Sequence, residues 1–296
     1  MTQPEVTGAG PSVEGSRQAR PPSARELERQ AVRRRLKLRQ IVIATMVTVV
    51  VTVGLALLVV SSPGWDRVRD YFLSWSHARD SFAAIAEGFW INIRIFLIAE
   101  PCVLILGALV AIARQTTSPW LAPLRLLATG YTDLFRGVPS ILVVVICGIG
   151  IPALGLSGVT SSLFWLTTFA LVLCYGAYVA EVFRAGILSI HPTQVASAEA
   201  LALTHTQTMR FVVLPQAVRR VVPPLMNDLV SLQKDTALIS AVGVFEALRA
   251  AQDYQGYNFN GTPLLVAATY FLIVAVPLTR LTDWLMRRQI EKEQGR

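Results

Sequence analysis

Lysine, histidine and cysteine are scarce in this chain of 296 residues, and their scarcity excludes several kinds of chemistry. None of the three lysines (Lys37, Lys234 and Lys292) follows a glycine, so the chain has no P-loop for nucleotide phosphates. The three histidines are isolated, and neither a Gly-x-Ser-x-Gly nor a His-Glu-x-x-His motif is present. The three cysteines lack Cys-x-x-Cys spacing. We therefore expect no catalytic residue and no metal site.

Charged residues make up only 16% of the chain, whereas hydrophobic residues make up 53%. This balance is typical of a protein that crosses a membrane several times and not of a soluble domain. A spanning helix needs about 20 mainly apolar residues. Six segments qualify: 41–61, 89–113, 131–153, 162–183, 222–247 and 263–286. We expect an all-α integral membrane protein with six transmembrane helices, because lipid offers no partner for unpaired backbone groups.

The net charge of +8 is concentrated at the N-terminus. Residues 1–40 hold nine basic and four acidic residues, which leaves +5 there. Basic residues beside an apolar span favour the cytoplasmic side, and they also occur in the 184–221 loop and after residue 286. We expect a multi-pass protein with both termini in the cytoplasm, and we expect no nucleic-acid partner.

The order of these segments predicts the organisation of the chain. The first 25 residues are rich in Pro, Gly and Ser, which favours disorder, and a basic helix follows them. We expect a cytoplasmic tail over 1–40, a retained anchor at 41–61, an extracytoplasmic loop at 62–88 and a cytoplasmic C-terminal tail at 287–296.

Several motifs between residues 134 and 240 are specific enough to indicate a family. The loop from Gln194 to Gln216 ends in LPQA and is followed by VPPLMNDLVSLQKDTALIS; LFRGVPSILVV and YGAYVAEVFRAGI precede it. Together they resemble the membrane-spanning permease subunit of bacterial ABC importers for polar amino acids. The resemblance implies a five-helix type I importer core over 89–286, with its coupling loop at 184–221, and makes the 41–61 helix an addition to that core.

The resemblance also implies partners and a mechanism. Two copies of an ATPase would carry ATP and magnesium, so this chain would bind no cofactor itself. An extracytoplasmic amino-acid-binding protein would deliver the substrate to this chain and to a second permease, identical or homologous, in the lipid of the bacterial inner membrane. Transport would proceed by alternating access, with glutamate or glutamine favoured and basic amino acids next. Two alternatives stay open: a secondary transporter driven by an ion gradient, and a membrane scaffold that does not transport.

The same resemblance identifies the residues that would couple the chain to the ATPase. They are Gln194, Val195, Ala196, Ala198, Glu199, Leu201, Ala202, Leu214 and Pro215. Two of them depart from the family pattern, because Ala196 stands at the usual glutamate and Ala202 at the usual glycine. Glu199, expected near the start of the short helix, could replace the missing carboxylate. The alternative is an amphipathic helix that lies on the membrane surface.

The fifth apolar segment is unusually polar for a membrane span. Intramembrane charges are costly and usually mark a pathway or a pair between helices. The candidate pathway residues are Glu100, Asn227, Asp228, Ser231, Lys234 and Asp235. Helical spacing places Asn227, Ser231 and Lys234 on one face and the two aspartates on a neighbouring face. Structural pairing remains an equal alternative for Lys234 and Asp235, and Glu100 could instead pair with a basic residue such as Arg94. We further expect a local ion pair between Glu181 and Arg184, and a partner for Arg136 that the sequence does not identify.

Overall fold

A computed structural model describes residues 24–116 and 118–294 of the chain. Every regular element in this part is helical, which confirms the predicted all-α class. The predicted disorder of the first 25 residues falls mainly on 1–23, which lie outside the described residues. The chain divides into two units, Met1–Trp65 and Asp66–Arg296, which are considered separately.

The first unit is built on one long helix, α1 (Ala24–Val60). The predicted basic helix and the predicted anchor are therefore continuous. Its apolar part, Val32–Val60, is long and apolar enough to cross a membrane, and its side chains are exposed. At 1.5 Å per residue, these 29 residues are longer than the roughly 30 Å hydrocarbon core requires.

The remaining helices follow in chain order. They are α2 (Trp65–Phe72), α3 (Trp75–Gln115), α4 (Ala122–Gly137), α5 (Ser140–Val145), α6 (Ile151–Ala153), α7 (Leu163–Leu188), α8 (Pro192–Ala200), α9 (His205–Thr208), α10 (Leu214–Asp235), α11 (Ala247–Asn258) and α12 (Thr262–Gln294). A π-helical turn (Ile146–Gly150) joins α5 to α6, another (Met209–Val213) joins α9 to α10, and 3-10 turns occupy Pro119–Leu121 and Thr236–Val242.

Three of the predicted spans in this unit lie within long apolar helices. The 89–113 segment lies inside α3, the 162–183 segment largely inside α7 and the 263–286 segment inside α12, and each helix is long and apolar enough to span. The predicted loop at 62–88 is largely helical, because it holds α2 and the start of α3.

The 131–153 segment is not one straight helix. The chain bends by 105° between the helical stretches Pro119–Gly137 and Ser140–Ala153. The two stretches therefore form either a broken span or a re-entrant loop. The break falls at Val138 and Pro139, where Val138 has an extended backbone (φ −94°, ψ 133°). Proline lacks an amide hydrogen and disfavours a helical conformation in the residue before it, which explains the position of the break.

The 222–247 segment is not a single helix either. Helix α10 ends at Asp235, a 3-10 turn follows, and Gly243 then adopts a left-handed backbone with φ +86°. The segment is not among the helices apolar enough to span. The described residues contain four such helices, or five if the bent pair counts as one span, so the predicted number of six is not confirmed.

The core forms where α3 and α7 pack side by side. The two helices run in the same direction, because Arg94 in the middle of α3 meets Phe164 at the start of α7, and Arg114 near the end of α3 meets Glu181 in the second half of α7. Small residues allow this approach: a Cβ on Gly107 would lie 2.5 Å from a methyl group of Val179. Leu232 and Ile239, from α10 and the turn after it, complete the cluster.

A second cluster lies toward the start of α3, where α11 and α12 pack against it. Ile85, Phe89, Ala247, Ala251 and Ala267 form its centre. This arrangement holds α11 and α12 against the first half of α3.

Candidate functional site

The predicted coupling loop is a compact helical hairpin. Helix α8 begins after His191, whose Nδ1 accepts a hydrogen bond from the amide of Thr193 at 3.3 Å. Helix α9 begins at a capping box in which Thr204 and Gln207 bond reciprocally. Between the two helices the chain reverses at Ala202, which has φ +59°.

The reversal at Ala202 is a Schellman motif. The amide of Ala202 donates to the carbonyl of Glu199 at 2.9 Å, and the amide of Leu203 donates to the carbonyl of Ala198 at 3.2 Å. Glycine usually occupies this left-handed position because it has no Cβ to clash. In the family that the sequence resembles, glycine is usual at the position of Ala202. The backbone of this chain is left-handed at that position although the residue is alanine.

Hydrogen bonds connect the start of the hairpin with its end. The amide nitrogen of the Gln216 side chain donates to Gln194 Oε1 and to the carbonyl of Val212, the latter at 2.8 Å. Arg220 donates to the carbonyl of Ser189. The start of α10 is therefore hydrogen-bonded to α8 and to the residue that follows α7.

The predicted coupling residues differ in their exposure. Ala198 is buried and Val195 is half-buried, whereas the others are exposed: Gln194, Ala196, Glu199, Leu201, Ala202, Leu214 and Pro215. Leu201 is 78% exposed and helps to line a groove of about 300 Å³ with Thr193, Gln194, Ser197, Leu203 and Val212. A partner can therefore reach the turn after α8 and the exposed side of the helix.

The expected position of Glu199 in α8 was wrong. The helix ends at Ala200, and Leu201 and Ala202 lie in the turn after it. Glu199 is the second-last residue of the helix and not near its start, so its charge opposes the helix dipole. Ala196 and Glu199 are nevertheless both exposed and three residues apart, so they share one side of α8.

Five of the six predicted pathway residues lie on α10, where they form two groups, and Glu100 lies on α3. Asp228 and Asp235 are half-buried, and the Tyr175 hydroxyl of α7 donates to Asp235 Oδ2 at 2.9 Å. Asp228 Oδ2 is buried, and no described residue donates to it. Glu100 of α3 is half-buried as well. The helices α3 and α10 thus carry three half-buried carboxylates, and Tyr175 of α7 contacts one of them, Asp235.

The other predicted face of α10 is more exposed. Asn227 and Lys234 are exposed and Ser231 is half-buried. Lys234 forms no ion pair with any residue that the structure describes. Arg94 forms no ion pair with Glu100 in the described part of the chain, and its guanidinium lies 5.2 Å from the centre of the Phe164 ring. Within the described residues, none of the three carboxylates Glu100, Asp228 and Asp235 forms an ion pair with a basic side chain.

An ion cluster joins the C-terminal ends of α3, α4 and α7. The expected pair of Glu181 and Arg184 is present. The partner of Arg136 is the same carboxylate, at 3.6 Å, and Arg114 donates to it at 2.7 Å. The part played by Arg114 was not predicted, because 67 residues separate it from Glu181.

A buried polar network near the start of α11 was missed entirely. Glu246 is fully buried and caps α11 by accepting hydrogen bonds from the amides of Leu248 and Arg249, at 2.9 and 2.7 Å. Asn92 of α3 donates to Glu246 at 3.0 Å and to Thr236 at 3.2 Å. An acidic residue before the alanine-rich stretch ALRAAQ is a start signal for a helix, and it could have identified the cap.

The architecture and these sites together define a transmembrane subunit of a transporter. Apolar helices surround three half-buried acidic side chains, and an exposed helical hairpin is hydrogen-bonded to α10, which carries two of them. Within the described residues, no group of three or more His, Cys, Asp or Glu side chains could hold a metal ion.

Comparison with known proteins assigns the family. Residues 103–291 match the family described as the binding-protein-dependent transport system inner membrane component, and the chain belongs to it. It is 35% identical over 192 residues to a putative glutamine transport system permease protein of Rickettsia conorii, covering 64% of this chain and 86% of that protein. It is 32% identical over 196 residues to an arginine transport system permease protein of Bacillus subtilis, covering 66% and 87%.

A solved structure extends the likeness to the fold. A crystal structure of an amino acid ABC transporter with histidines matches 70% of this chain and 94% of its own, with a TM-score of 0.64 and 25% identity. The predicted class is confirmed: the chain is a multi-pass permease component of an amino acid ABC transporter with the type I importer fold.

Proposed function

We propose that this chain is the membrane-spanning subunit of an ATP-driven importer of polar amino acids that works by alternating access. ATP and magnesium would bind to two copies of a separate ATPase. A binding protein on the outer side would deliver the substrate to this chain and a second permease, identical or homologous.

The observation that carries this proposal is the attachment of the exposed hairpin to α10. The turn at Ala202 presents Leu201 and the outer side of α8, while Gln216 and Arg220 tie the hairpin to the start of α10. The same α10 bears Asp228 and Asp235. A partner that pulls on the hairpin would therefore move the helix that lines the pathway.

The charge of the pathway favours some substrates over others. Glu100, Asp228 and Asp235 would repel the side-chain carboxylate of glutamate, which glutamine lacks, and would attract the side-chain cation of a basic amino acid. The names of the two relatives, one for glutamine and one for arginine, agree with this preference. We therefore place glutamine and basic amino acids ahead of glutamate, which the sequence alone had favoured equally with glutamine.

The position of three arginines supports an assignment of the two ends of the helices to the sides of the membrane. Arg114, Arg136 and Arg184 lie together where α3 and α7 end, and the hairpin follows α7 directly. By the positive-inside rule this end would be cytoplasmic, so both the hairpin and the C-terminus would face the ATPase. A cysteine introduced at position 205 should then resist an impermeant thiol reagent applied from outside, whereas one at position 75 should react.

Reconstituted transport tests the proposal. The complex of this chain with its ATPase and binding protein would be placed in proteoliposomes, and the uptake of labelled glutamine, arginine and glutamate would be measured with and without internal ATP. We expect uptake only with ATP, and more uptake of glutamine or arginine than of glutamate. Uptake that follows an imposed proton or sodium gradient in the absence of ATP would overturn the proposal.

A further inference from the structure

Three guanidinium groups surround a single carboxylate where α3, α4 and α7 end. Glu181 Oε2 lies 2.7 Å from Arg114 Nη1 and 3.6 Å from Arg136 Nη1, while Arg184 holds Glu181 Oε1. We refer to these four side chains as the arginine cluster. Its formal charge is +2, and the transport steps proposed above use none of this surplus.

The surplus charge is accessible from outside the protein. The Arg136 and Arg184 side chains are 41% and 34% exposed. At 3.6 Å, the contact of Arg136 with Glu181 is longer than a hydrogen bond. A guanidinium carries five N–H donors, so the cluster retains donors that Glu181, with two oxygens, does not use.

The cluster also lies at a boundary between polar and apolar surface. The apolar helix α3 ends at Gln115 and α7 at Leu188, so the guanidinium groups stand at the end of two spans. Apolar side chains within one helical turn of them remain exposed, namely Ile112, Leu134 and Leu188. A molecule that fits this surface has an anionic head and an apolar tail.

We propose that the arginine cluster binds the phosphate group of an anionic phospholipid in the leaflet where α3 and α7 end. Guanidinium groups bind phosphate with paired, charge-assisted hydrogen bonds. Basic pockets between transmembrane helices are suited to lipid head groups. Free phosphate could accept the same hydrogen bonds, but it has no acyl chain to contact the exposed apolar side chains beside the cluster.

The bound lipid would have a structural consequence. Arg136 is the last residue but one of α4, directly before the 105° break at Val138 and Pro139. A phosphate shared by Arg136 and Arg184 would fix the end of α4 to α7. An anionic lipid would therefore stabilise the bend between α4 and α5 more than a neutral lipid could.

The test compares lipids in nanodiscs that hold the whole transporter complex. Melting temperatures of the complex would be measured in phosphatidylcholine alone and in phosphatidylcholine with phosphatidylglycerol. We expect phosphatidylglycerol to raise the melting temperature of the wild-type complex, and Arg136→Gln to lose at least half of that increase. The matched control is Arg280→Gln, because Arg280 is 78% exposed and its carboxylate partner Asp283 lies 3.9 Å away. It should keep the full increase.

Glu181→Gln separates a lipid site from a purely structural ion network. It removes the carboxylate that competes with phosphate, so the increase from phosphatidylglycerol should grow although the starting melting temperature falls. The proposal is wrong if Arg136→Gln and Glu181→Gln lower the melting temperature equally in both lipids. It is also wrong if Arg136→Gln behaves like Arg280→Gln, or if inorganic phosphate added to phosphatidylcholine nanodiscs reproduces the whole increase.

Discussion

The amide of Leu203 donates a hydrogen bond of 3.2 Å to the carbonyl of Ala198, and this bond closes the turn that ends α8. The bond forms only because Ala202, between them, adopts a left-handed backbone with φ +59°. The position of the hairpin tip, and with it the presentation of Leu201, therefore depends on a conformation that alanine disfavours.

Ala202→Gly should stabilise the hairpin. A left-handed backbone costs a non-glycine residue roughly 1–2 kcal/mol, and the greater freedom of glycine in the unfolded chain offsets about 0.4–1 kcal/mol of the gain. We expect a net stabilisation of about 0.5–1 kcal/mol, seen as slower proteolysis of the 191–204 segment in the intact complex. Ala196→Gly, the same change inside α8, should do the opposite. Equal acceleration of proteolysis by both changes would show that the turn is not as described.

Gly88→Ala should destabilise the contact between α3 and α11. An added Cβ would lie 2.5 Å from the carbonyl carbon of Glu246 and 2.7 Å from the amide nitrogen of Ala247. Backbone atoms cannot move aside as a flexible side chain can, so we expect a loss of about 1–3 kcal/mol, measured by thermal unfolding in detergent. Gly130→Ala in α4 meets nothing within 4 Å and should raise stability by about 0.5–1 kcal/mol. A Gly88→Ala protein as stable as the wild type would contradict this packing.

Asn92 should contribute to the stability of the fold because it donates a hydrogen bond to the fully buried carboxylate of Glu246. Asn92→Ala removes the hydrogen bond to Glu246 at 3.0 Å and the one accepted from the amide of Ala247 at 3.2 Å. Leaving buried groups unpaired costs about 1–3 kcal/mol. Asn92→Asp should be worse, since two carboxylates would then face each other. Asn258→Ala serves as the control, because Asn258 is exposed and bonds only within α11; a similar loss of stability for Asn92→Ala and Asn258→Ala would refute the role of the network.

Asp228→Asn should change which amino acid is carried. Removing one of the three carboxylates proposed to line the pathway should weaken the attraction for a basic side chain more than for a neutral one. We expect arginine uptake to fall by about tenfold relative to glutamine uptake, which corresponds to about 1.4 kcal/mol. Asp253→Asn is the control, because Asp253 pairs with Arg249 on α11, outside the pathway. An unchanged ratio of arginine to glutamine uptake in Asp228→Asn would remove this residue from the pathway.

The sequence predicted the helical class and several spans because long apolar runs can be recognised without knowing what they pack against. It also located the hairpin, since LPQA and the segment after it are specific. The breaks after Gly137 and Asp235 were missed because the apolar stretches on the two sides of each break were taken as one segment, although Pro139 marked the first and the polar run 233–236 marked the second. The contacts of Glu181 with Arg114, and of Asn92 with Glu246, join residues 67 and 154 positions apart. Such pairs depend on how helices pack, which helical periodicity does not specify.

Coupling of ATP hydrolysis to transport through the hairpin is the central claim, and Leu201→Arg tests it most directly. Leu201 lies in the turn, 78% exposed and outside the apolar spans, so the variant should insert and fold normally. Burying a leucine at an interface contributes about 1.5–3 kcal/mol, and a charge in its place adds a desolvation cost. The measurement is ATPase copurification together with ATP-dependent amino-acid uptake, in the variant and the wild type. The account predicts that both are lost in Leu201→Arg at normal membrane abundance; a variant that keeps both would contradict it.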